Sequence, residues 1–127
     1  MNSEVGASPS RLALSIGSDL MFGSRLAAAA TRTGLTVQQV GNLAMAVGCL
    51  AAQQVGLIIV DLSSAALDPT DAIGQLRAAG GDVPIVAFGP HVHEGRLAAA
   101  REAGASEVLS RGAFDAQMDT LLQRYLA

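Results

Sequence analysis

The run Leu57-Ile58-Ile59-Val60, closed by Asp61, constrains this chain more than any other segment. Four consecutive apolar residues, three of them β-branched, do not alternate as a half-exposed strand does. They suit a strand buried on both faces, which parallel sheets covered by helices require. An acid ending such a strand falls at its carboxyl end, where open α/β sheets place their ligands. Asp61 is therefore both a fold marker and the first candidate site residue.

The rest of the chain alternates between strand and helix patterns. Residues 1–10 are small and polar and read as a flexible lead-in. The first strand is expected over Arg11–Ile16. Ser18 is then the expected cap of a helix from Asp19 to about Thr33, with Phe22, Leu26, Ala29 and Ala30 as its apolar stripe. Gly34 ends it. Leu35–Val40 is a second strand of mixed polarity. Asn42 opens a second helix, with Leu43, Val47, Leu50 and Ala51 on one face. After the Asp61 strand, Asp68-Pro69 begins a third helix that stops at Gly80-Gly81. Pro84–Phe88 is the fourth strand. Gly89-Pro90-His91-Val92-His93 leads into a fourth helix, about Glu94–Ala103. Glu107-Val108-Leu109 is a short fifth strand. Phe114, Met118, Leu121, Leu122 and Tyr125 then share one face of a fifth helix.

Five βα units imply one domain over 11–127: an α/β doubly wound parallel sheet with helices on both faces. The apolar strands one, three and four belong in the centre. Strand two is mixed and strand five short, as edges are. The order 2-1-3-4-5 satisfies this, the flavodoxin-like arrangement, and puts its switch point beside Gly17-Ser18-Asp19 and Asp61.

Composition narrows the function. Half of the 127 residues are apolar, enough for a sizeable core, and with few aromatics that core is expected to be mainly Leu, Val, Ile and Ala. The net charge of −3 is dispersed, without the clustered cations that nucleic acid requires. All eight basic residues are Arg, so no mechanism can use a lysine. Cys49 stands alone and is read as a buried thiol. No segment matches a membrane span or a signal peptide, and a cytoplasmic protein is expected.

At this point the chain resembles a response-regulator receiver domain of the CheY-like kind. The resemblance rests on Leu57–Leu62, on Val83-Pro84-Ile85-Val86-Ala87 and on Ala100–Leu109, and covers about residues 11–127. It implies phosphorylation of Asp61, assisted by Mg²⁺ on acids after strand one, a hydroxyl after strand four and a lysine after strand five. Here the first positions are Ile16, Gly17 or Ser18, with Asp19 the nearest acid. The hydroxyl position is Gly89 and the lysine position is Arg111, followed by Gly112 in place of a proline. Neither Val108 nor Leu109 supplies the aromatic residue of the fifth strand. The former active site is thus Ser18, Asp19, Gly89 and Arg111 around Asp61, the pattern of a degenerate pseudo-receiver.

Each candidate also has a purely structural explanation. Asp61 can accept backbone N–H groups of the following loop. Asp19 is favoured at a helix N-terminus by the dipole. Arg111 is either an anion ligand, a partner for Asp61 or a solvated cation. Asp19 and Asp61 alone make a poor metal site. His91 and His93 form an H-x-H pair without the further ligands that a zinc site needs, and are expected in a solvent-facing loop or at a helix cap. Gly17-Ser18-Asp19 follows a strand and opens a helix, but carries no phosphate-loop pattern. Arg96, Arg101, Glu107 and Arg124 are expected to rim a protein interface on helix four, strand five and helix five.

The leading expectation is a stand-alone pseudo-receiver: a non-enzymatic signalling or interaction module with a protein partner, or a homodimer through helix four, strand five and helix five. It needs no cofactor, and Mg²⁺ enters only if Asp61 is phosphorylated. One alternative is an atypical regulator phosphorylated on Asp61. The other is a small-ligand-binding protein using the crevice over Gly17, Ser18, Gly89 and His91.

Overall fold

The computed structural model describes residues 11–126, so the expected lead-in over 1–10 lies outside the described residues. Strands β1 (Leu12–Ile16), β2 (Thr36–Val40), β3 (Leu57–Asp61), β4 (Ile85–Gly89) and β5 (Glu107–Ser110) alternate with helices α1 (Leu20–Thr33), α2 (Leu43–Ala52), α3 (Pro69–Gly80), α4 (Glu94–Glu102) and α5 (Arg111–Leu126). All strands are parallel, in the order β2-β1-β3-β4-β5. This is the expected 2-1-3-4-5 arrangement. Every residue of β3 and β4 is buried, as the unbroken apolar runs require.

The register aligns the carboxyl ends of the strands. Ile16 pairs with Val40 on one side and Val60 on the other, Asp61 with Phe88, and Gly89 with Ser110. Gly17, Asp61, Gly89 and Arg111 therefore emerge along one edge of the sheet.

The helices divide the core in two. Under α1 and α5, Phe22, Leu26, Phe88, Phe114, Met118, Leu121 and Leu122 pack with Ala13, Leu57 and Ile59. The side chains of β1, β3 and β4 that point the other way meet α2, α3 and α4 through Ala46, Ile73, Leu76 and Ala100. The first core is more aromatic than its composition suggests. Phe22, Phe88 and Phe114 meet with ring centroids 4.6 to 5.6 Å apart, a geometry worth about 0.5–1.5 kcal/mol per pair beyond burial.

Two local details differ from the sequence reading. Asp19, not Ser18, caps α1: its backbone is extended and its Oδ1 accepts the Phe22 N–H at 3.0 Å. Ser18 is exposed. On α2 the buried residue is Ala46, flanked by Leu43, Cys49 and Leu50, while Ala51 is exposed. The Gly34 stop behaves as expected, with φ of 75° in the left-handed region that a Cβ disfavours.

Candidate functional site

Asp61 ends β3 and is 7% exposed. A buried carboxylate needs partners, and the loop after β3 supplies them. Ser63 donates both its backbone N–H, at 2.9 Å, and its hydroxyl, at 2.7 Å, to Asp61 Oδ1. This is an Asx-type turn, in which a short side chain satisfies the backbone two residues on. The Asp-x-Ser spacing of Asp61-Leu62-Ser63 carries that signal in the sequence, and Ser63 is a site residue that the sequence reading passed over.

The other carboxylate oxygen faces Arg111. Arg111 Nη1 is 3.6 Å from Asp61 Oδ2, an ion pair too long to be a hydrogen bond. Its Nη2 donates to Asp19 Oδ2 at 2.7 Å. The guanidinium lies over the Phe22 and Phe88 rings, 5.4 and 5.6 Å from their centroids. A planar, weakly hydrated cation suits an aromatic floor of this kind. The backbone N–H of Phe22 holds the Asp19 carboxyl below its ordinary value. Partial desolvation opposes this and the charge of Arg111 adds to it. The sequence left Arg111 with three readings, and the geometry gives it two carboxylate partners.

Two of the positions where receivers carry further chemistry, Gly17 and Gly89, have little room for a side chain. A Cβ on Gly17 would stand 3.1 Å from the Asp61 Cβ, so a side chain there would require Asp61 to give by a few tenths of an ångström. A Cβ on Gly89 would stand 3.3 Å from the Leu62 Cβ and 3.5 Å from Leu97 Cδ2. A side chain after β4 would therefore start in tight contact with Leu62 and in van der Waals contact with Leu97.

These residues do not fit Mg²⁺. The ion prefers octahedral oxygen ligands. Here one oxygen of Asp19 caps a helix, one oxygen of Asp61 accepts two hydrogen bonds, and a guanidinium stands between the remaining two. Among the described residues no group of three or more His, Cys, Asp and Glu side chains is placed to hold a metal. His91 and His93 are exposed, and His93 occupies the cap position of α4 without a capping bond from its side chain.

Beside the site, a cleft of about 140 Å³ lies between the loops after β1, β2 and β3. Gly17, Ser18, Asn42 and Asp61 line it, together with Leu67 and Asp68. Gly89 and His91 are not among its lining residues, so the crevice proposed from sequence is only partly formed.

The four candidate interface residues separate. Arg124 pairs with Glu107 at 2.6 Å, and the same Glu107 oxygen accepts the Tyr125 hydroxyl at 2.7 Å. Burial first, and then this hydrogen bond, pushes the Tyr125 hydroxyl up. Arg101 is exposed on α4. Arg96 is half-buried and turns away from the expected surface. Its Nε donates to the Leu62 carbonyl at 2.8 Å and its Nη2 to the carbonyls of Ser64 and Leu67. Its role is correspondingly internal, because the loop carbonyls need donors that the sheet does not provide.

Gln39, also unnoticed in the sequence, reaches from edge strand β2 to the loop after β1. It donates to the carbonyls of Gly17 at 3.2 Å and Asp19 at 3.3 Å. Gly23 makes room for it, since a Cβ there would lie 2.0 Å from Gln39 Oε1.

No protein-family profile and no curated protein sequence matches the chain. Solved structures do. The receiver domain of a sensor histidine kinase from Pseudomonas aeruginosa, with magnesium in its active-site cleft, superposes with a TM-score of 0.77 at 24% identity, covering 92% of this chain and 98% of that one. A response regulator from Hahella chejuensis gives 0.81 at 20% identity, over 93% and 96% of the two chains. A response regulator from Burkholderia pseudomallei, with a phosphorylated aspartic acid and calcium, gives 0.75 at 22% identity, over 91% and 66%. With these superpositions and the 2-1-3-4-5 parallel sheet, the chain has the fold of response-regulator receiver domains.

Proposed function

We propose that residues 11–127 form a receiver-type signalling module that works through protein contacts, without phosphorylation-driven switching at Asp61 and without enzymatic activity. The observation that carries this reading is the Arg111 guanidinium lodged between Asp19 and Asp61. It holds the region where a phosphoryl-transfer site needs a divalent cation and open carboxylate oxygens. The tight contacts around Gly17 and Gly89 support the same reading.

The partner is a protein, either another chain or a second copy, received on the surface of α4, β5 and α5. Arg101 and the Glu107–Arg124 pair are its candidate contacts, in place of the four residues expected from sequence. Nucleic acid is disfavoured by the dispersed charge. Among the described residues no helix is long and apolar enough to cross a membrane.

Titration with Mg²⁺ and beryllofluoride, followed by backbone amide NMR, tests the reading. Unchanged resonances at Asp61, Gly89 and Arg111 support it. Saturable shifts at all three favour the alternative of a regulator modified on Asp61. Saturable shifts confined to Gly17, Ser18 and Asn42 favour a small-ligand site in the neighbouring cleft.

A further inference from the structure

We infer that the open edge of β2, with the outer flank of α2 above it, receives a second copy of this chain about a twofold axis. This goes beyond the proposed function. It concerns the edge of the sheet opposite β5 and holds whatever α4, β5 and α5 receive.

The charge pattern singles this edge out. The chain carries 8 basic and 11 acidic residues, yet none of the 28 residues from Thr33 to Val60 is charged. That stretch includes all of β2 and α2. The sequence of α2 is apolar all round, the pattern of a buried helix, but Ala46 is its one buried residue. Met45 is 53% exposed, and Gly48, Ala51 and Ala52 are exposed on the same side. One flank of α2 packs on α3. The other faces β2, where Gln38 Nε2 donates to Cys49 Sγ at 3.5 Å.

The strand below is equally open. Among the described residues β2 pairs with β1 alone. Thr36 donates its N–H to the Arg11 carbonyl at 3.0 Å, and the Val40 carbonyl accepts from Gly17 at 2.9 Å. With those groups turned inward, the alternation of the ladder turns the backbone of Val37 and Gln39 outward.

Three arguments make the occupant a second copy. A partner recognised by complementary charge finds none here. Two copies of net charge −3 repel one another, and this edge lets them meet without bringing like charges together. The geometry is also self-complementary. Gln38 is the middle residue of β2 and touches Cys49 near the middle of α2, so one twofold axis serves both elements. Antiparallel pairing of β2 with its copy then joins the two sheets and lays the two α2 helices side by side. The area agrees as well. A helix about 15 Å long is too short to hold a dimer alone, and the strand edge brings the contact to the small end of specific interfaces, about 1,200 Å² in total.

Sedimentation equilibrium on the full chain tests this. A reversible dimer is expected, with a dissociation constant below about 100 μM. Gly48→Glu and Gly48→Arg each set like charges against one another across the axis and should each weaken the dimer at least about thirtyfold. A Cβ on Gly48 meets nothing within 4 Å in a single copy, and both residues favour a helix over glycine, so both variants should keep the native Tm or exceed it in dilute solution. Mixing the two variants should restore the dimer to within about tenfold of the native affinity. In the native chain, the Val37 and Gln39 amides should exchange at least about tenfold more slowly in the dimer than in the monomer. A chain that stays monomeric up to about 1 mM overturns the inference. So does a dimer that survives both Gly48 variants, a mixture that fails to associate, or unchanged exchange at Val37 and Gln39. A dimer lost in Arg101→Glu instead places the second copy on α4 and overturns it too.

Discussion

Arg111 donates to Asp19 at 2.7 Å across 92 residues of chain, joining the first turn of α5 to the cap of α1. The bond closes the sheet's switch point from above and aims the other arm of the guanidinium at Asp61. Removing it separates structure from chemistry. Arg111→Gln leaves the buried Asp61 carboxylate without its cation, and unfolding by urea should show a loss of about 1–3 kcal/mol, below that of a fully buried pair because Arg111 keeps 28% exposure. The same variant should gain an Mg²⁺-dependent rise in Tm that the native chain lacks, because the guanidinium no longer competes with the ion.

Acid should weaken the α1 and α5 contacts through Asp19 and Asp119. Both carboxyls are held below the ordinary 3.8, Asp19 first by the Phe22 N–H and Asp119 first by its hydrogen bond from Arg32. A depressed folded value means that their stabilisation is complete above the ordinary value and is lost as pH falls through the lower folded values. Urea midpoints measured between about pH 5 and pH 2 should fall less steeply in an Asp19→Asn, Asp119→Asn double variant than in the native chain.

Gly23 and Gln39 form a steric pair, and their substitutions should not add. Alanine favours a helix over glycine by about 1 kcal/mol. Gly23→Ala alone should realise none of that gain, because it expels Gln39 from the carbonyls of Gly17 and Asp19. In a Gln39→Ala background the same change should stabilise by about 0.5–1 kcal/mol, read from chemical unfolding.

Restoring a hydroxyl after β4 should fail. Gly89→Ser places its Cβ against Leu62 and Leu97 and should cost about 1–3 kcal/mol through overpacking. Thermal unfolding measures that loss.

Much of the fold was legible in the sequence because its signals are periodic. The unbroken Leu57–Val60 run, the Phe114–Tyr125 face and the Gly34 stop each follow from local chemistry, and the differing polarity of the five strands orders the sheet. The cap of α1 was misplaced by one residue because Ser18 and Asp19 are both good caps, and only the extended backbone at Asp19 chooses between them. Within the site, Asp61, Asp19 and Arg111 were legible as residues but not as a connected set, since no spacing encodes a contact across 92 positions. The inward hydrogen bonds of Arg96 were not legible for a related reason. A charged residue early in a helix looks solvent-facing until the loop of open carbonyls beneath it is known.

The central claim is that Asp61 sits in a site closed to phosphoryl chemistry by Arg111. Incubation with acetyl phosphate and Mg²⁺, followed by intact-protein mass spectrometry, tests it most directly. The expected result is no phosphoryl adduct on the native chain. A stoichiometric adduct that disappears in Asp61→Asn would contradict it.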